Sequence, residues 1–199
     1  MSPGAPEQAL SDIAKRLREM NVPFALVGGL AVSVRAEVRF TRDLDIAVTI
    51  RDDAALETLV RDLGRGGYSI VATVEQEHHG RLAIVRLQSA TGIAVDVLAA
   101  SSGIESEIVA RSSMVDFPHV GPVPVASVED LLAMKVLSAS EERLQDRIDA
   151  RNLILAAPAL DLAAVRHALE RITARGYDRS QDLLAKLDAI LREVTPPPA

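Results

Sequence analysis

The sequence predicts an α+β protein, a mixed sheet flanked by helices and followed by a C-terminal helical bundle. Short apolar runs alternate with helical patterns up to about residue 125, and beyond Ala126 the pattern stays helical as far as Val194. Of 199 residues, 48% are hydrophobic and 25% charged, so a packed core is expected rather than disorder. These observations divide the chain into an α/β domain at 1–125 and a helical domain at 126–199.

The elements follow in order. Gln8 to Met20 carries Leu10, Ile13, Leu17 and Met20 at helical spacing, and Asn21-Val22-Pro23 stops that helix. Phe24 to Val27 reads as a buried strand, and Gly28-Gly29 leads into a small-residue helix from Leu30 to about Ala36. Leu44 to Ile50 is a strand with acids at its start, and Asp53 to Leu63 a helix closed by Gly64, Gly66 and Gly67. Ser69–Val74, Leu82–Gln88 and Ile93–Leu98 read as three more strands, the last two joined by a hairpin turn at Ala90-Thr91-Gly92. Gly103 to Arg111 is a short helix, and Pro122 to Val125 a short edge segment because proline is confined to edges. Ser127 with Asp130 marks a helix N-cap, after which about four helices follow with breaks at Pro158 and around Gly176. The tail, Thr195 to Ala199, cannot continue a helix.

Composition excludes several classes. Aromatics make up only 3% with no Trp, so Leu, Ile, Val and Ala build the core. The absence of Cys removes disulfides, thiolate metal sites and Cys nucleophiles together. A formal net charge of −6 argues against a broad sequence-independent grip on nucleic acid, though a local basic patch is compatible with it. Met1 to Glu7 lacks the charged-then-apolar pattern of a secretory signal, and no run approaches the ~18 apolar residues of a membrane span. The expected location is the cytoplasm, with no membrane partner.

The chemistry concentrates in residues 24 to 48 and on one later strand. A Gly-Gly turn at the start of a helix can hold a phosphate, because glycines allow close approach and free N–H groups favour an anion. Its alternative is a turn that needs positive φ or tight packing. Asp43 and Asp45 are alternate residues on a strand and so point to one face. Two carboxylates there repel unless cations intervene, and hard oxygen donors suit Mg²⁺ or Mn²⁺, which also bind phosphates. The plainer reading is a pair of solvated acids at a strand end. Asp96 sits between apolar neighbours on its own strand, where an unpaired carboxylate is costly to bury. An ion pair with a nearby arginine would explain it, but three acids fit a two-metal site with ions roughly 3.5–4 Å apart.

Gly28-Gly29, then Arg39-x-Thr41-Arg42-Asp43-Leu44-Asp45, then the distant Asp96, resemble the DNA polymerase β-type nucleotidyltransferase superfamily. Within it the chain is most similar to the AbiEii/MenT-like branch of bacterial toxin nucleotidyltransferases, over most of residues 22 to 155. The resemblance implies a nucleotidyltransferase-type sheet in a catalytic domain at 1–125. It implies metal binding and catalysis at Asp43, Asp45 and Asp96, with Asp96 aligning or deprotonating the attacking hydroxyl. It further implies a triphosphate-contacting Lys135 in LLAMKVLSA and a catalytic segment Arg143-Leu144-Gln145-Asp146, where Gln145 stands in place of a common Lys. Gly28, Gly29, Ser33, Arg39, Arg42 and Lys135 are the candidate nucleotide contacts. Ser33 is equally a small packing residue, and Lys135 and Asp146 are equally charges on helix faces. Lys135 nevertheless lies on a largely apolar helix, where an ammonium needs an acidic or phosphate partner. His78 and His79 read as solvated, and His119 and His167 have no evident partner.

The implied activity is metal-dependent transfer of a nucleoside monophosphate from an NTP to an RNA acceptor, the tRNA 3′ end, by the toxin of a toxin–antitoxin pair. A cognate antitoxin protein is the implied partner. Arg35, Arg39, Arg42, Arg81 and Arg86 are candidates for a local RNA-facing patch. The alternatives are nucleotidylation of a protein or aminoglycoside-like hydroxyl, and a catalytically idle nucleotide- or partner-binding module.

Overall fold

The computed structural model describes residues 5–38, 41, 43–76 and 80–194. Its sheet grows around β1 (Phe24–Val27), a strand buried along its whole length because it has a neighbour on both edges and helices against it. β2 (Asp43–Val48) pairs antiparallel with β1, and β5 (Ala94–Leu98) parallel with β2. β4 (Arg81–Gln88) and β3 (Ser69–Gln76) extend that side antiparallel. On the other side come β7 (Gly121–Val125), parallel to β1, and β6 (Ser113–Phe117), giving the order β3-β4-β5-β2-β1-β7-β6. The β4–β5 connection is the expected tight hairpin, with Gly92 N–H donating to Ser89 O and Ser89 N–H to Ile93 O.

One strand expectation needs correction, and one strand was not predicted. The segment at Pro122 to Val125 is not an edge, because β6, which went unrecognised in the sequence, lies outside it. Pro122 and Pro124 are tolerated in β7 because they are alternate residues, so their missing N–H groups fall on one side of the strand. β1 pairs there only at Val125, and the Pro122 carbonyl is taken by the Arg18 guanidinium. β6 escaped notice because SMVDF carries no continuous alternation and is half exposed.

Helices follow their apolar stripes. α1 (Ala5–Glu19) buries Leu10, Ile13, Ala14 and Leu17, one face of a 3.6-residue period. α2 (Gly28–Arg35) starts at Gly28 itself, two residues before the expected Leu30, since Gly28 adopts φ +64° directly after the strand. α3 (Asp53–Arg65) is N-capped by Asp52, which accepts from Ala55 N–H at 2.9 Å, and α4 (Glu105–Arg111) follows β5.

The helical part comprises α5 (Val128–Ser138), α6 (Leu144–Ala156), α7 (Leu162–Ala174) and α8 (Leu183–Val194). The predicted cap of α5 is present, with Asp130 N–H donating to Ser127 Oγ at 3.1 Å. α5 is apolar nearly all round because it packs on α2, α6, α7 and α8. One apolar cluster runs from Ala9 of α1 to Ile190 of α8, and full burial of each large aliphatic side chain in it contributes about 1.5–3 kcal/mol. No helix among the described residues is long and apolar enough to cross a membrane. Arg39, Arg42, His78, His79 and the tail from Thr195 lie outside the described residues.

Candidate active site

The three acids converge through sheet register. Asp45 of β2 lies directly opposite Asp96 of β5, and Arg86 of β4 directly opposite Asp96. Cross-strand partners share a face, so Arg86, Asp96 and Asp45 form one row, ending at Val27 on β1. Asp43 is two residues from Asp45 on that same face. The row borders a cleft between the ends of these strands and helices α2, α5 and α6. Its inner part, about 290 Å³, is lined by Gly28, Asp45, Asp96, Lys135, Arg143 and Asp146, among others. A wider outer part of about 700 Å³ adds Gly29, Thr41 and Asp43.

Asp45 and the Gly-Gly turn are built together. An ideal Cβ on Gly28 would fall 1.8 Å from Asp45 Oδ2, so only glycine leaves that carboxylate its place. Gly29 N–H donates to the same carboxylate. Burial, then the neighbouring Asp96, pushes the Asp45 carboxyl up to about 6, against the pull of Lys135 and Gly29. Both readings of the glycines thus have a physical basis: the turn packs tightly and has positive φ, and it opens a helix at the cleft.

Arg86 neutralises the other end of the row. Its Nε and Nη2 donate to the two carboxylate oxygens of Asp96 at 2.7 and 2.6 Å, and Nη2 reaches Asp43 Oδ2 at 3.5 Å. The arginine partner considered for Asp96 therefore exists. Among the described residues, no three His, Asp or Glu side chains close up into a group that could hold a metal ion. The guanidinium shows, however, that the row accepts a cation, and three carboxylates are the hard oxygen donors that Mg²⁺ or Mn²⁺ requires.

Lys135 has the acidic partners its apolar helix demands. Its Nζ lies 2.6 Å from Asp146 Oδ1 and 2.8 Å from Asp149 Oδ2. All three are buried, at 8%, 5% and 0% exposure, so the cluster is screened little by water. Arg143 Nε adds a contact to Asp146 Oδ2 at 2.8 Å, and Gln145 Nε2 donates to Asp149 Oδ1 at 2.9 Å. Gln145 therefore joins the acid cluster as a neutral donor where the resemblance expects a lysine.

The remaining candidates are placed as follows. Ser33 sits one turn into α2 with its hydroxyl donating to Gly29 O at 3.0 Å. Arg35 binds the Ala126 and Val125 carbonyls and Ser113 Oγ, tying α2 to β6 and β7. Arg81 pairs with Asp53 at 3.4 Å. His167 faces Glu170 on α7, and His119 takes a left-handed φ of 62° in the β6–β7 turn. Of the five arginines considered for a basic patch, only Arg86 lines the cleft among the described residues.

The Arg86–Asp96 pairing could have been counted out from the hairpin turn. Arg179, which lines the inner cleft from the α7–α8 loop, had no signal in the sequence.

A family model described as the nucleotidyl transferase AbiEii toxin of a Type IV TA system matches residues 15–197. No curated protein matches the chain in sequence. In three dimensions the chain is similar to an antigenic nucleotidyltransferase-like protein from Paracoccidioides brasiliensis, with TM-score 0.51, 19% identity and 92% of each chain covered. It is also similar to ANT(2'')-Ia in complex with adenylyl-2''-tobramycin, with TM-score 0.50, 16% identity, and 86% of this chain and 99% of that one covered. At these identities the two structures show a shared fold.

Proposed function

Because the chain belongs to the AbiEii nucleotidyl transferase toxin family, and is thereby a nucleotidyltransferase, we propose that its acceptor is the 3′ end of tRNA and its donor an NTP. In this reading residues 1–125 are the catalytic unit, and 126–199 the helical unit that presents Lys135, Arg143 and Asp146. The observation that carries it is the row of Asp45 opposite Asp96 with Asp43 on the same face, beside the glycine-opened helix.

Asp43, Asp45 and Asp96 would hold Mg²⁺ or Mn²⁺. Such an ion supplies charge neutralisation at the α-phosphate and a lowered pKa for the attacking hydroxyl. The chain's own residues do the rest. The N-terminus of α2, with Gly28 and Gly29, offers its positive dipole end to a phosphate. In this reading Asp96 aligns or deprotonates the acceptor hydroxyl. Lys135, held by Asp146 and Asp149, fixes a positive charge on the wall that faces Asp45. Positioning and charge neutralisation carry most of the acceleration.

The test is incubation of the purified protein with each α-labelled NTP, Mg²⁺ and total tRNA, followed by tRNA 3′-end sequencing. Added 3′ nucleotides with wild type and none with Asp45→Asn is the expected result. Toxicity on expression should be relieved by co-expressing the neighbouring gene as antitoxin. Label that never enters tRNA would overturn the acceptor assignment.

One observation favours a second acceptor class. The net charge of −6 and the acidic row suit a small polycation carrying a hydroxyl, such as an aminoglycoside. Label appearing on an added aminoglycoside rather than on tRNA would select that reading.

A further inference from the structure

The wall of the inner cleft away from the sheet carries a cation that no ion pair among the described residues neutralises. Arg179, in the loop between α7 and α8, lines this cavity together with Arg143, and it makes no side-chain hydrogen bond or ion pair among the described residues. Its surroundings reinforce the charge. Arg143 acts on it as a like charge, it acts in turn on Lys186, and Asp146 opposes in both cases. Asp146 is already engaged by Lys135 and Arg143. Burial, then Arg143, lowers the pKa of the Arg179 guanidinium, which is what crowding cations into one pocket does.

The backbone that presents it is strained as well. Arg179 and Ser180 adopt φ of 56° and 57°, two consecutive non-glycine residues in the left-handed region. Left-handed backbone is strained for such residues, and such conformations gather at ligand-contacting sites. The loop is tied to α7 by Tyr177 N–H to Ile172 O and to α8 by Lys186 Nζ to Gln181 Oε1. An anchored loop and a guanidinium without an ion-pair partner among the described residues, beside Arg143 on the same cavity, describe a receptor for an anion with several oxygens.

We propose that Arg179, with Arg143 on the same cavity, forms a phosphate-binding subsite in the cleft that Asp45 and Asp96 also line. Its occupant is a phosphate of the NTP or of the acceptor's backbone. The planar fork of arginine accepts two oxygens of either. This rests on the reading of the cleft as a nucleotidyl-transfer site, and its test does not depend on turnover.

The experiment measures binding by calorimetry to two probes, inorganic tripolyphosphate and total tRNA. Wild type, Arg179→Asn and Arg179→Lys are compared. Asparagine tolerates the left-handed backbone, so Arg179→Asn removes the charge without refolding the loop. A thermal unfolding midpoint equal to wild type checks this. Binding of one probe should weaken about tenfold in Arg179→Asn, with Arg179→Lys intermediate. Loss of tripolyphosphate binding assigns the subsite to the nucleotide, and loss of tRNA binding alone assigns it to the acceptor. If transfer activity proves absent while Arg179→Asn still loses anion binding, the nucleotidyl reading fails and the subsite stands. Equal binding of both probes by Arg179→Asn and wild type overturns the proposal.

Discussion

Gly28 and Asp45 occupy one space that admits either a Cβ or a carboxylate, since a Cβ on Gly28 would stand 1.8 Å from Asp45 Oδ2. Gly28→Ala therefore meets two penalties, a steric one at Asp45 and a conformational one at φ +64°. We expect destabilisation of about 1–3 kcal/mol and loss of nucleotidyl transfer by about 100-fold or more, because the carboxylate must move. Thermal unfolding with a transfer assay checks both. Wild-type activity in Gly28→Ala would mean that the position of Asp45 is not critical.

Asp45 and Asp96 are neighbours with opposite energetics. Asp45 is pushed toward its neutral form by burial and by Asp96, whereas Asp96 is held by two hydrogen bonds from Arg86. In metal-free protein at neutral pH, Asp45→Asn should raise stability by about 1 kcal/mol, and Asp96→Asn should lower it by about 1–3 kcal/mol. Both variants should lose transfer activity. Urea unfolding in chelator distinguishes the signs, and equal shifts would contradict the row of charges described above.

Lys135 separates two buried acids. Lys135→Met removes the ammonium held between Asp146 and the fully buried Asp149, and should cost about 3–5 kcal/mol. The double variant Lys135→Met/Asp149→Asn should recover at least ~1 kcal/mol of that loss, because one of the two buried carboxylates that faced the ammonium is gone. A denaturant double-mutant cycle gives the coupling. Strict additivity would show that the 2.8 Å contact contributes nothing.

Glu107 ties α4 to α7 through Arg175 at 2.6 Å and Arg171 at 3.1 Å. The Arg175 hydrogen bond lowers its carboxyl from 4.5 to about 2. A depressed carboxyl stabilises the fold above its unfolded value and loses that contribution as pH falls, here between about 4.5 and 2. The contribution is about 1 kcal/mol after solvent screening. Glu107→Gln should be less stable than wild type at pH 7 and equal to it near pH 2, by urea titration at both values. A constant difference across that window would remove Glu107 as the source.

Much of the molecule was determined by the sequence itself, where the determinants are local. The buried run Phe24–Val27, the stripe of α1, the Ser127 cap and the shared face of Asp43 and Asp45 follow from periods of 2 and 3.6 residues and from capping chemistry. The hairpin at Ser89–Ile93 likewise places Arg86 against Asp96 by counting outward from its turn. β6 is the local failure, a half-exposed strand whose pairing with β7 supplies the order its own pattern lacks.

The tertiary structure decided what depends on non-local register. Asp45 faces Asp96 only because β5 returns parallel to β2, a pairing across 51 residues that no local period encodes. The same crossing of distant elements assigns Lys135 to both Asp146 and Asp149, and brings Arg179 to the cleft from a loop near the end of the chain. Side-chain type and spacing declare which groups need partners. Only the packing of strands and helices, through register and close approach, selects the partners.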